Sequence, residues 1–248
     1  SQTYNPQYLY PIPRSTNREK WIGEVPFVGV DLWNAYELSW LNSQGKPTRA
    51  IGTFVIPSNT PNIVESKSLK LYLNSLNHTV FESFQTCRDT IKNDLVACLE
   101  SKRITVTIIP FEQWLFPKIL NPVGFCLDNL DLSTNHYTPS KDLLKTSKNI
   151  RSDQVYSHLF RSNCPVTNQP DWATIMIQYT GLAIDRTSLL AYLISYRHHN
   201  GFHEDCIERI FMDLYKISQP SDLIIKAHFL RRGGIDINPI RSSHAHGK

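Results

Sequence analysis

Apolar positions along this chain switch between a period of two and a period near 3.6, and each switch marks an element. Residues 36–41 and 49–56 alternate as two strands, joined through the turn-rich Asn42-Ser43-Gln44-Gly45-Lys46-Pro47. Prolines at 57 and 61 break the alternation. Over 65–76, Leu69, Tyr72, Leu73 and Leu76 take helical spacing, and over 84–99 Phe84, Ile91, Leu95 and Leu99 do the same. A strand over 103–110 follows, with Ile104, Val106 and Ile108 on one side. Residues 1–35, rich in Pro, Asn and Tyr, predict only an extended lead-in.

The second half repeats the order. Residues 155–160 and 172–180 predict strands, 185–198 and 204–215 helices, and 223–229 a final strand. Residues 128–153 are dominated by Asn, Ser, Thr, Asp and Lys and predict a linker or long mobile loop. The expectation is therefore an α+β chain with a duplicated element order and diverged residues. It divides into a module over 1–127, a linker over 128–153 and a second module over 154–248.

Composition narrows the class without naming it. The chain has 248 residues, 41% hydrophobic and 19% charged, enough for one large core or two small ones. No apolar run approaches the length that crosses a bilayer, and the N-terminal residues lack a basic-then-apolar leader pattern. The five cysteines are odd in number, irregular in spacing and without a CxxC, which fits a reducing cytoplasm better than a disulfide framework. A net charge of +4, dispersed apart from Arg231-Arg232, argues against direct nucleic-acid binding. Neither a GxGxxG nor a GxxxxGK[ST] occurs.

Four stretches carry candidate chemistry. In the first, Cys164 precedes Pro165 and Asp171 follows Pro170, so a fixed bend between two strands presents a thiol with an acid close by. Set against this, a lone cysteine is most often a small core hydrophobe. In the second, Val64-Glu65-Ser66-Lys67 opens a helix. Its carboxylate can accept two adjacent N–H donors, while the hydroxyl and ammonium suit an anion; set against this, an ordinary capped amphipathic helix is the commoner meaning of such a start. The third is His203-Glu204, a second acid at a helix start, with Gly201 read as the end of the preceding helix. His199 and His203 invite a metal reading, which the intervening Gly201 and the lack of an obvious third ligand oppose. The fourth is Arg232-Gly233-Gly234, a turn able to bring charge and backbone N–H groups to a phosphate, or simply a solvated turn.

Taken together and in this order, these residues resemble a known family. Glu65-Ser66-Lys67-Ser68-Leu69-Lys70-Leu71-Tyr72, Ser162-Asn163-Cys164-Pro165 with Gln169-Pro170-Asp171-Trp172, Phe202-His203-Glu204 and Arg232-Gly233-Gly234 are similar to the NADPH-dependent nitrile reductases of queuosine biosynthesis, in their long two-module form. The resemblance implies tandem tunnelling-fold (T-fold) modules with antiparallel sheets and helices packed on one face, a homodimer, and reduction of 7-cyano-7-deazaguanine. By position it implies Cys164 as the nucleophile that forms a thioimide and Asp171 as the proton donor. It further implies Val64, Glu65, Ser66, His203 and Glu204 as substrate contacts, and Ser66, Lys67, Arg232 and Gly233 as NADPH contacts. Two other readings stand beside it: a zinc-dependent cyclohydrolase of the same fold acting on GTP, with His199, His203 and Cys164 as ligands, and a tRNA-binding module.

Overall fold

A computed structural model describes residues 3–19, 25–114 and 122–244. It is an α+β structure that divides into two compact units. Among the described residues one comprises 3–19, 30–114 and 231–237, and the other 25–29, 122–230 and 238–244.

The first unit opens with β1 (Pro11–Pro13) and the short α1 (Ser15–Arg18). The hairpin β2 (Val28–Leu41) and β3 (Pro47–Pro57) is followed by β4 (Asn62–Val64), α2 (Ser66–Ser75), α3 (Phe84–Leu99) and β5 (Thr105–Pro110). β5, β3 and β2 lie side by side, antiparallel, and β1 pairs antiparallel with β4. The lead-in expected over 1–35 is thus partly strand, because β2 starts at Val28. Both helices match the apolar spacing. Leu69, Tyr72 and Leu73 from α2, and Ile91, Leu95 and Leu99 from α3, join Trp33, Leu38, Trp40 and Phe54 in one core. Ser83 caps α3 by accepting from Thr86 N at 3.1 Å.

In the second unit a two-residue β6 (Phe125–Cys126) precedes the long hairpin β7 (Thr146–Asn163) and β8 (Pro170–Ile184). Then come α4 (Arg186–Ile194), α5 (His203–Ser218), β9 (Asp222–Phe229) and β10 (Ile235–Ser242), whose first three residues are counted with the first unit. The order across this unit is β10-β9-β8-β7-β6. All neighbours whose register is given are antiparallel except β6 with β7, which is parallel, so the sheet is mixed. α5 packs on β8 and β9, burying Ile207, Ile210, Phe211 and Leu214. Among the described residues no helix is long and apolar enough to cross a membrane.

Three expectations need correction. The segment 128–153 is not all linker, since β7 begins at Thr146, with exposed polar residues paired to the far end of β8. A second strand does follow the last helix pair: β10 contains Pro239, and the sequence reading took that stretch for a turn. The helix over 185–198 tightens into a 3-10 turn at Ser195–His198, so Gly201 is not its cap.

Candidate functional site

The β7–β8 hairpin positions the thiol. The last paired residues are Asn163 and Pro170, with Ser162 opposite Asp171. Beyond them Cys164 N donates to Gln169 O at 2.8 Å, and Asn168 N donates back to Cys164 O at 2.9 Å. That closure puts Asn168 at φ 57°, a left-handed conformation that asparagine tolerates better than most side chains. The loop is therefore fixed at both ends of Cys164. Pairing places Ser162 and Asp171 on one face of the hairpin, Cys164 follows Ser162 by two residues just beyond the last pair, and all three are buried.

The start of α5 faces the acid. His203 Nε2 lies 3.4 Å from Asp171 Oδ2. The imidazole lies flat on Phe229 of β9, with ring centroids 3.8 Å apart and planes 5° from parallel. Stacking fixes the ring plane, and within that plane the Nε2 edge is the one turned to Asp171. Its Nδ1 is buried without a hydrogen bond. Glu204 occupies the first turn of α5 and is 3% exposed. A carboxylate there gains from the helix dipole. No side-chain cap precedes it, because Phe202 stands at the N-cap.

Gly201 has a packing role that spacing does not reveal. A Cβ there would lie 2.9 Å from His199 Nε2 and 3.1 Å from Cys206 Sγ. Its N–H donates to Asn163 O, while Asn163 N donates to His199 O at 2.8 Å. The turn before α5 is thereby tied to the strand carrying Cys164. Burial, with Arg209 near by, pushes His199 down to about 4, so it is neutral at pH 7. Burial raises the Cys206 thiol well above its ordinary range, and Asp205 adds to this. Among the described residues no group of three or more His, Cys, Asp or Glu side chains is arranged to hold a metal ion, so His199, His203 and Cys164 do not form the ligand set considered above.

The remaining predicted residues belong to the first unit. Glu65 is the N-cap of α2, accepting from Lys67 N at 2.9 Å and Ser68 N at 2.7 Å. Both oxygens serve the helix, and a carboxylate retains further acceptor capacity beyond one bond per oxygen. Val64 ends β4, buried opposite Pro11. Ser66 is half-buried and Lys67 exposed. Arg232 and Gly233 lie in the turn before β10, with Gly233 at φ 61° and Gly234 at φ 79°. The sequence reading missed the Phe229 stack, because alternation in β9 marks Phe229 only as core. It also missed the stacking environment of Trp172, over which the guanidinium carbons of Arg161 and Arg197 lie 5.8 and 5.5 Å from the ring centroid.

Comparison with known proteins places the chain in a family. The family model described as nitrile reductase, 7-cyano-7-deazaguanine-reductase N-term, matches residues 1–108, and that of the QueF-like protein matches residues 170–248. The NADPH-dependent 7-cyano-7-deazaguanine reductase of Dechloromonas aromatica is 50% identical over 246 residues, 97% of this chain and 86% of that protein. Its namesake from Desulfotalea psychrophila is 47% identical over 250 residues, 99% and 90% of the two chains. That of Coxiella burnetii is 48% identical over 245 residues, 97% and 87%. Among solved structures, the archaeosine synthase QueF-Like in the apo form aligns at a TM-score of 0.34 and 14% identity, covering 40% of this chain and 99% of that one, too weak a likeness to bear on the fold. Identity near one half over almost the whole length, together with two family models in the expected order, means that the chain belongs to the NADPH-dependent 7-cyano-7-deazaguanine reductase family.

Proposed function

We propose that this protein reduces the nitrile of 7-cyano-7-deazaguanine to the aminomethyl group with two NADPH, through a thioimide on Cys164. The names of its relatives supply the substrate and the reductant. The observation that carries the chemistry is the burial of Cys164 and of Asp171, whose cross-strand partner Ser162 is two residues before the thiol, with His203 held against the acid.

A nitrile is a poor hydride acceptor, and adding a thiol across it divides one hard step into easier ones. Cys164 Sγ bonds to the nitrile carbon, the nitrogen takes a proton from Asp171, and Asp171 takes up the proton the thiol loses, so that S–H adds across the triple bond to give the thioimide. His203, fixed by Phe229, orients Asp171 towards that nitrogen. NADPH supplies two hydrides in succession, the four electrons that nitrile-to-amine reduction requires. Between them the C–S bond breaks and Cys164 leaves as thiolate. Burial of the hairpin face limits water, which would otherwise hydrolyse the thioimide.

Glu204 accepts from the ring N–H and exocyclic amine of the guanine-like edge, and His203 contacts the same base. Val64, Glu65 and Ser66 are further proposed contacts of the nucleobase, and Ser66, Lys67, Arg232 and Gly233 of NADPH. Their chemistry fits the cofactor: two cations, a hydroxyl and a glycine whose bare backbone permits close approach. Each unit's strand–strand–helix–helix–strand order supports tandem T-fold modules. A cytoplasmic homodimer completes the reading.

Intact mass tests it. Mixing the protein with 7-cyano-7-deazaguanine without NADPH should add one nitrile mass, mapped to Cys164 and absent in Cys164→Ala. Folded, reduced protein that takes up no such mass would overturn the thioimide route. Glu204→Gln should weaken binding of the base by about tenfold or more, since an amide presents a donor where an acceptor is needed. Unchanged affinity removes Glu204 from recognition.

A further inference from the structure

The last pair of each hairpin sets a residue against a proline, Leu41 against Pro47 and Asn163 against Pro170. Each of these two residues also bridges, in parallel, to the turn between the helices of its own unit, Leu41 to Val80 and Asn163 to Asn200. The main-chain bonds repeat as well. Leu41 N donates to Thr79 O and Phe81 N to Leu41 O, both at 2.9 Å; Asn163 N donates to His199 O at 2.8 Å and Gly201 N to Asn163 O at 3.1 Å. The bridge is scaffold made of backbone groups, and in the first unit it carries a leucine. In the second it carries an amide, 6% exposed and immediately before Cys164.

That amide adds side-chain bonds on both sides of the bridge. Asn163 Oδ1 accepts from Arg161 Nη2 at 3.2 Å, while Nδ2, with one hydrogen for each, reaches Asn200 Oδ1 at 3.4 Å and Arg197 O at 3.5 Å. Arg197 lies in the 3-10 turn after α4 and Asn200 just before α5. Bonds of this length are weak, and burying an amide costs more than burying a leucine of the same branched shape. Stability alone therefore favours the first unit's solution. We infer that the Asn163 amide is a positioning residue, setting the register between the loop that presents Cys164 and the helix start that presents His203 and Glu204. This rests on the proposed reduction, in which Glu204 holds the nucleobase and Cys164 attacks its nitrile. Grip and attack then come from different elements, α5 and the β7–β8 hairpin. A sulfur displaced by about 1 Å from the nitrile carbon loses on the order of a hundredfold in rate, whereas a base held on α5 stays bound as before.

Asn163→Leu, which installs the first unit's residue, separates binding from addition. Rapid mixing with 7-cyano-7-deazaguanine, without NADPH, gives the rate of adduct formation at saturating nitrile. Calorimetry on Cys164→Ala, with and without the second change, gives affinity for the base where no bond can form. Asn163→Leu should keep the urea midpoint, hold base affinity within about twofold and slow addition by about tenfold or more, the scale of a sub-ångström shift. Asn200→Ala, at an exposed position that does not threaten folding, should slow addition in the same direction. Addition at the unmodified rate in Asn163→Leu overturns the inference. So does a loss of base affinity that matches the loss of rate, since that is what a purely structural residue gives. If Asn163→Leu does not fold, Asn200→Ala decides in the same way. No adduct in the unmodified protein overturns the thioimide reading and this inference with it; an adduct there, with unchanged rates in the variants, overturns this inference alone.

Discussion

The helix pairs of the two units repeat each other in detail, and they differ where chemistry is expected. Glu65-x-x-Ser68-Leu69-x-x-Tyr72-Leu73-x-Ser75 and Asp185-x-x-Ser188-Leu189-x-x-Tyr192-Leu193-x-Ser195 share every spacing. Ser68 N donates to Glu65 Oε2 and Ser188 N to Asp185 Oδ1, both at 2.7 Å, and each serine hydroxyl returns a bond to the cap's carbonyl. Tyr72 donates to Asp94 of α3, as Tyr192 does to Asp213 of α5. Ser75 and Ser195 each donate to the tyrosine carbonyl at 2.6 Å. Even the tie between hairpin and helix recurs, with Leu41 N bonding Thr79 O in one unit and Asn163 N bonding His199 O in the other. The residues have therefore not wholly diverged, as their order alone suggested. Those kept are the ones that satisfy helix ends and buried hydroxyls.

The departures lie around them. The β2–β3 loop is an efficient turn: Asn42 Oδ1 accepts from Gln44 N and Lys46 N, and Gly45 takes φ 76°. The β7–β8 loop carries Cys164 and leaves a non-glycine residue, Asn168, in the left-handed region. α3 starts on a serine cap, whereas α5 starts on Phe202, without a side-chain cap, with His203 and Glu204 behind it. A repeat keeps its scaffold and gives up local optimisation where a site is built.

The largest contrast is between the loops. Cys164→Ala should reduce turnover to background with the fold intact, while Asn42→Ala should cost about 1 kcal/mol of stability and no turnover. Steady-state rates with urea midpoints check both, and turnover surviving in Cys164→Ala breaks the distinction. Next come the tyrosines. Asp94 also accepts from Tyr4 at 2.8 Å, whereas Asp213 is raised by burial and bonded through Tyr192. Tyr192→Phe should therefore cost about 2–3 kcal/mol and Tyr72→Phe about 1 kcal/mol. The reverse order in urea unfolding would show that the second donor, Tyr4, does not cushion Asp94.

The caps sharpen the comparison further. Asp185→Ala should lose about 1 kcal/mol of stability. Glu65→Ala should lose a similar amount and, under the proposed function, nucleobase affinity as well; equal affinity loss in both would make Glu65 a cap alone. The smallest effect is on pH. Burial holds folded His199 near 4 against an ordinary value of about 6.5, so the unfolded chain binds its proton first. Stability from this group is fully present above about 6.5 and falls as pH drops towards 4. His199→Thr, which installs the first unit's residue, should flatten that fall; an unchanged slope between pH 7 and 4.5 removes His199 as its source.

Much of this was legible in the chain. Helical spacing in 65–76 and 84–99 found α2 and α3 within a residue or two, because a buried stripe needs apolar side chains at that period. The arm of β7 before Asp153 was not legible. Its side chains are exposed, so pairing with β8 is carried by backbone bonds that leave no apolar signature. β10 was hidden by Pro239, although Arg241 there is fully buried and bonds Glu208 of α5 at 2.7 Å.

The sequence by itself determined the duplicated order, the helix faces, the cysteine bounded by prolines and the family it resembles, since periodicity, caps and breakers act over a few residues. Only the tertiary structure decided that Asp171 pairs with Ser162, two residues before Cys164, that Phe229 sets the plane of His203, and that Lys70 and Glu37 lie against a bare turn more than 160 residues away. Those relations depend on strand register and on which side chains a glycine leaves room for, and neither is written in local spacing.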